Sequence, residues 1–172
     1  MKKIFCLLVV WSAVGGLFAQ QDPVIRDNTP FVYVALETVG PYEQIPAKMN
    51  ELMQLLQKQN VMMLGAPLGI YYNSPDQVKP EELKWELGVP VDAMIAVQAP
   101  LKRVEFSYLK VAELIHRGPY ASSAASYVKL FAFIGDNGYA VTGPVMETYY
   151  DDPAMVKPED LRTLITVPVV KK

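Results

Sequence analysis

Cysteine and histidine are almost missing from this chain. Cys6 and His116 are the single copies among 172 residues. Cys6 lies inside an apolar run, Ile4 to Phe18, preceded by Lys2-Lys3 and followed by Ala19 and the polar Gln20-Gln21. That order of basic, apolar and small residues is the grammar of a secretory signal peptide. Cleavage after Ala19 would leave no cysteine, which excludes disulfides, thiolate metal sites and cysteine nucleophiles. Leu17 departs from the small residue expected three places before the cut, so an uncleaved N-terminal membrane anchor is the alternative. The apolar run is short of the ~20 residues a membrane span needs.

Basic clusters are also lacking. Lys and Arg number 16 against 18 Asp and Glu, a net charge of −2, and removal of Lys2 and Lys3 takes it to −2 − 2 = −4. Nucleic acid and anionic lipid are therefore not expected partners, and no membrane contact is expected beyond export. The chain carries no phosphate-binding glycine loop, no nucleophile elbow around Ser122, Ser123 or Ser126, and no metal-ligand constellation. A mature chain of roughly 150 residues buries about 68–70% of its unfolded surface, enough for one domain without disulfides. Residues 20–172 are read as that domain and 1–19 as the leader.

What the chain does have is a repeat. Gly40-Pro41-Tyr42 recurs as Gly118-Pro119-Tyr120, an offset of 118 − 40 = 78. The same register carries Tyr71-Tyr72 onto Tyr149-Tyr150, Val78-Lys79-Pro80-Glu81 onto Val156-Lys157-Pro158-Glu159, and Val89-Pro90-Val91 onto Val167-Pro168-Val169. No gap is needed from Leu36 to Val91, so the chain is a duplication. Repeat one spans about 31–91 and repeat two about 109–169.

Each copy reads as strand, helix, strand, strand. Phe31–Thr38 is β-rich, and Gly-Pro-Tyr ends it. Glu43–Lys58 places Ile45, Met49, Leu52, Leu55 and Leu56 at helical spacing. Tyr127, Leu130, Phe131, Phe133 and Ile134 repeat the pattern before Gly135–Gly138 stops it. Second strands follow at Pro67–Tyr72 and Val145–Tyr150. After proline-rich loops come last strands at Trp85–Val91 and Leu164–Val170. Residues 92–103 link the copies, with Val104–Tyr108 extending the first strand of repeat two. The fold class is α+β: two βαββ units form one curved antiparallel sheet, with both helices on one face and a central cleft on the other.

The two Gly-Pro-Tyr turns, Gly143-Pro-x-x-Glu147-x-Tyr149, the Asp152-Pro153 turn, His116–Tyr120 and the closing Ile165-Thr-Val-Pro-Val169 together resemble the GyrI-like family, the effector-binding domain of bacterial transcription activators. The match covers nearly all of the mature chain, and its motifs are specific in combination rather than singly. The resemblance implies binding of a small organic molecule, often aromatic and cationic, with no cofactor. The SOUL haem-binding family resembles the same architecture, and some GyrI-like proteins hydrolyse electrophilic compounds. A haem or tetrapyrrole binder and a hydrolase with Glu147 as general base are thus the alternatives. A monomer is expected, with a dimer as the other option.

Period-two alternation splits each second strand into two faces. Leu68, Ile70, Tyr72 and Met146, Thr148, Tyr150 suit the helix-packed side. Gly69, Tyr71 and Val145, Glu147, Tyr149 then face the cleft, where Glu147 stands opposite a glycine. A carboxylate among aromatics suits a cationic planar guest; the bland reading is a surface carboxylate paired with Lys or Arg. Trp85, whose counterpart is Thr163, is either a pocket wall or a cover for the core. Tyr33 is a further cleft candidate, as are Glu37, Phe106, Val111 and Glu113, with Glu37 and Glu113 as a conceivable acid–base pair. His116 is the lone axial ligand a haem would find. A second carboxylate beside Glu147 favours an enzyme, an open apolar cleft favours a binder, and a cleft filled by its own side chains favours an interaction module.

Overall fold

The computed structural model describes residues 22–172, so the leader, Cys6 included, lies outside the described residues. Local structure follows the repeat closely. Gly40 and Gly118 take φ of +138° and +121°, values that a side chain disfavours. Each then donates its N–H across the repeat at 2.9 Å, to Leu83 and Leu161. Pro41 and Pro119 follow in extended geometry and feed a single 3₁₀ turn, Tyr42–Gln44 or Tyr120–Ser122. The turn runs into α1 (Ile45–Lys58) or α2 (Ala124–Asp136). Both helices end just before a residue of positive φ, Asn60 at 53° and Gly138 at 71°, the left-handed geometry common at helix C-termini.

The strands are β1 (Val24–Asp27), β2 (Phe31–Val39), β3 (Leu68–Tyr71), β4 (Lys84–Pro90), β5 (Lys102–Phe106), β6 (Lys110–Arg117), β7 (Tyr139–Val141), β8 (Val145–Tyr149) and β9 (Arg162–Lys171). They form an antiparallel sheet ordered β1-β6-β9-β8-β3-β4-β2-β5, with β7 pairing β9 separately. At its centre Gly69 of β3 pairs with Glu147 of β8. These residues are each other's counterparts under the 78-residue offset, so the pseudo-twofold axis passes between them.

The repeat is longer than the sequence suggested. β1 and β5 are also counterparts, and each pairs with the other repeat: Val24 opposite Glu113 on β6, and Lys102 opposite Ala35 on β2. The unit is ββαββ, with the first strands exchanged. Val104–Tyr108 therefore does not extend the first strand of repeat two; the strand there is β5, which ends at Phe106 and edges repeat one.

The exchange forces the sheet to curl. β1 and β2 lie six strand intervals apart, ~29 Å in a flat sheet, yet only residues 28–30 join them. Four Cα steps reach at most about 15 Å. The curl closes away from the helices. On that concave side Tyr33, Ala35, Leu68, Ile70, Phe106, Val111 and Met146 form one core, although their strands are distant in the sheet order. The convex face carries both helices. Leu52 and Leu56 of α1 bury against Val34, Leu36 and Leu87, while Leu130 and Ile134 of α2 bury against Leu114, Ile165 and Val167. Each such side chain contributes about 1.5–3 kcal/mol.

Candidate functional site

A single row across the convex face reads Leu36, Leu87, Gly69, Glu147, Ile165, Leu114. Its ends lie under the two helices and its middle lies between them. Gly69, Tyr71, Val145, Glu147 and Tyr149 therefore sit together, as expected, but on the helix-bearing face. The expectation that they face away from the helices is corrected, and so is the partner assignment. Leu68, Ile70 and Met146 point into the concave core. Alternation sorts residues into two sets without saying which set meets the helices. Here the concave side takes Leu68, Ile70 and Met146, alongside buried Glu86 and Thr166 in the same row, and the gap between the helices takes the Glu147 set.

Glu147 is half-buried on the axis. Its Oε1 accepts from the Tyr127 hydroxyl of α2 at 2.6 Å and its Oε2 from the Tyr149 hydroxyl at 3.0 Å. With the Tyr149 proton thus committed, Tyr71 donates to the Tyr149 oxygen at 2.5 Å. The chain of phenols crosses directly over Gly69, where a Cβ would meet both hydroxyl oxygens at 2.8 Å. Outside it stand two edge-on ring pairs, Tyr42–Tyr71 at 5.3 Å and Tyr120–Tyr149 at 5.7 Å, which the offset maps onto each other. Phe131 lies one helical turn past Tyr127 and stacks on it at 6.4 Å.

On the axis itself the symmetry is broken: Glu147 stands against Gly69, and Tyr127 takes the place of Met49. No ion pair among the described residues involves Glu147. Its charge is felt around the ring. Burial first, and then Glu147, raises the Tyr42, Tyr71, Tyr120 and Tyr127 hydroxyls above the usual phenol range; for Tyr149 burial leads, followed by Tyr71 and then Glu147. All five phenols are therefore held protonated at neutral pH, as donors or neutral walls.

The remaining candidates separate from this cluster. Trp85 is 1% exposed, and its Nε1–H donates to the Gly40 carbonyl at 2.8 Å. It ties the Gly-Pro turn to β4 and backs Tyr42 at 6.3 Å, so it supports the site without lining it. Tyr33 lies on the concave side, where its hydroxyl donates to buried Glu86. Phe106 and Val111 pack in the same core. Glu37 pairs with Lys102, and Glu113 with Arg26 at 2.6 Å; neither joins Glu147, and Glu37 instead stands opposite Glu86 across β2 and β4. Both ring nitrogens of buried His116 are engaged, Nδ1 with Ser126 at 2.9 Å and Nε2 with the Pro119 carbonyl at 3.2 Å.

Sequence reasoning missed Tyr42, Tyr120 and Tyr127. The first two read as turn residues and the third as helix core. One signal was available: the offset that pairs Tyr71 with Tyr149 also pairs Tyr42 with Tyr120, so four tyrosines shared one symmetry. The cluster is closed by its own hydroxyls. Two open surface cavities lie elsewhere, one between the end of α1 and residues 96–100, the other around Arg117, Asp151 and Arg162.

A duplicated, curled antiparallel sheet with two helices on one face is the architecture of a small-molecule-binding domain. The chain belongs to the GyrI-like small-molecule-binding family, which matches residues 21–170. A DNA gyrase inhibitor of Erwinia billingiae is 28% identical over 135 residues, 75% of this chain and 86% of that protein. Among solved structures, the EcmrR C-terminal domain superposes with a TM-score of 0.78 at 18% identity, over 90% of this chain and 99% of that one. A hydrolase from Listeria innocua gives 0.66 at 13% identity, over 89% and 94%. SAV2435 bound to tetraphenylphosphonium gives 0.53 at 14% identity, over 87% and 94%.

Proposed function

We propose that the protein binds a monocationic, aromatic small molecule between α1 and α2, with Glu147 as its counter-charge. The observation that carries this reading is the half-buried carboxylate on the pseudo-twofold axis, which has no cationic partner among the described residues and is ringed by phenols. Partial burial of an unpaired charge is costly. Tyr127 and Tyr149 offset part of that cost, and a cation would offset more. The aromatic walls add ring-face attraction for the same charge. A single carboxylate suits one positive charge. Entry requires the Tyr71–Tyr149 hydroxyl bridge over Gly69 to open, a step within reach because one neutral hydrogen bond contributes only about 1 kcal/mol net.

The self-filled cleft also fits an interaction module. Against that stands what fills it, hydroxyls and a carboxylate in place of interlocked apolar side chains. A hydrolase reading is better served by a second carboxylate beside Glu147, and Glu37 and Glu113 each pair elsewhere. With residues 1–19 read as an export leader, the binder works outside the cytoplasm, and sequencing the N-terminus of the natively expressed protein checks this. Tetraphenylphosphonium, the ligand of SAV2435, is a suitable probe. Calorimetric titration should show it binding at least about tenfold tighter, a difference of ~1.4 kcal/mol, than neutral triphenylphosphine oxide. Equal binding of the two would remove charge from the recognition and sink the reading.

A further inference from the structure

The duplication supplies its own control for what each helix must look like. α1 and α2 hold equivalent places on one sheet, yet their outer sides differ. Where α1 shows Asn50, Gln54 and Gln57 to solvent, α2 shows Val128, Ala132 and Gly135, all exposed. Val128 is 71% exposed. The fold tolerates a polar face at this position, so the apolar face of α2 is not a requirement of packing on the sheet. A small-residue face that the fold does not require, with Val128 exposed on it, leaves room for a close-packed partner.

The charges of α2 point to the occupant. Lys129 and Asp136 are its two charged residues. Seven residues apart, they lie two turns from each other along one edge of the stripe, with Ala132 near the midpoint. Consider a second copy related by a twofold axis that lies in the interface, perpendicular to α2 and level with Ala132. Lys129 then meets Asp136 of the partner subunit, and Asp136 meets the partner's Lys129. A parallel arrangement would not bring these charges together. A patch that is complementary to itself is what a twofold dimer demands. Lys129 bonds exposed Asp22 at 2.8 Å in the single chain, a surface pair of the kind that contributes little and exchanges readily.

We infer that the outer face of α2 is the interface of an antiparallel homodimer, with Val128, Ala132 and Gly135 at its centre and reciprocal Lys129–Asp136 pairs at its edge. Small side chains let the helices approach closely. The stripe is about 20 Å long, from 13 residues at 1.5 Å each. One helix per protomer falls below the area of a standard stable interface, so association is weak and concentration-dependent.

Sedimentation equilibrium of the purified protein from about 10 μM to 1 mM, a range suited to so small an interface, should fit a monomer–dimer equilibrium. Val128→Glu, whose fold is checked by thermal unfolding, should weaken the dimer by roughly tenfold or more, by burying a charge at the centre. Asn50→Glu, at the twin position on α1, should leave it unchanged. Lys129→Asp and Asp136→Lys should each weaken it about threefold or more by placing like charges together. The double reversal should restore it, a result that association through any other segment would not give. Monomer throughout the range, a dimer indifferent to Val128→Glu, or failure of the double reversal to rescue would each overturn the inference.

Discussion

Gly69 is the position where the smallest possible change should separate stability from binding. Its backbone lies outside the left-handed region, so alanine is conformationally acceptable there, and glycine in a strand is itself unfavourable by roughly 0.5–1 kcal/mol. The obstacle is the pair of hydroxyl oxygens at 2.8 Å from the new Cβ, with the Tyr71 ring carbon Cε2 at 3.0 Å; ordinary contact begins near 3.4 Å, so the hydroxyls must withdraw by about 0.6 Å and the Tyr71 ring edge by about 0.4 Å. Both lie at the ends of rotatable side chains. The hydroxyl bridge between Tyr71 and Tyr149 should break at a cost of about 1 kcal/mol, nearly offset by the gain from removing a glycine. Gly69→Ala should therefore change urea stability by less than about 1 kcal/mol. Binding should suffer more, because the methyl fills the space that an entering ring occupies once the bridge opens, and overpacking typically costs 1–3 kcal/mol. That is roughly a five- to hundredfold loss of tetraphenylphosphonium affinity. Calorimetry and denaturant titration on the same preparations make the comparison. Unchanged affinity, or a stability loss above about 3 kcal/mol, would show that the gap over Gly69 is packing space and not ligand space.

Trp85→Phe should behave in the opposite way. Loss of the indole N–H strands the Gly40 carbonyl and costs about 1–3 kcal/mol in denaturant stability, with affinity for the same cation changed by less than about threefold; a larger loss of affinity would return Trp85 to the site. The tyrosine cluster predicts alkaline behaviour. Tyr71, Tyr127 and Tyr149 have hydroxyls raised mainly by burial, together with Glu147 and, for Tyr149, Tyr71. Their protonated forms therefore favour the fold. The stability they contribute is fully present below the ordinary phenol value near 10 and falls as pH climbs past it. Ultraviolet titration should show this group ionising together with the loss of circular dichroism; reversible ionisation of every tyrosine near pH 10 in folded protein would contradict it.

Most of the fold was legible in the sequence, and the reason is the duplication. An ungapped register tied every main strand and helix of one half to the other, and Gly-Pro-Tyr marked where each helix begins. β1 and β5 escaped because Val24-Ile25-Arg26 and Lys102-Arg103-Val104 match at no position of the 78-residue register; only their pairing partners reveal them as counterparts. Without that exchange the curl of the sheet was invisible, and so was the buried concave side. Leu68 and Ile70 then looked like helix-packing residues, and Tyr33 looked like a cleft residue. The set that carries Glu147 was still read as a group, since strand alternation is local. Tyr127 could not be read this way, because its partner lies 20 residues on in another element.

The central claim is that Glu147 supplies the charge that holds a cation. Calorimetric titration of the wild-type protein and Glu147→Gln with tetraphenylphosphonium tests it most directly. Removing one partner of a buried charge pair costs about 2–5 kcal/mol, and half-burial places this pair at or below the low end. The affinity should fall by at least tenfold, ~1.4 kcal/mol, while the unliganded variant keeps or gains thermal stability because no unpaired carboxylate is desolvated. Equal affinities for the two proteins would contradict the account and take Glu147 out of the site.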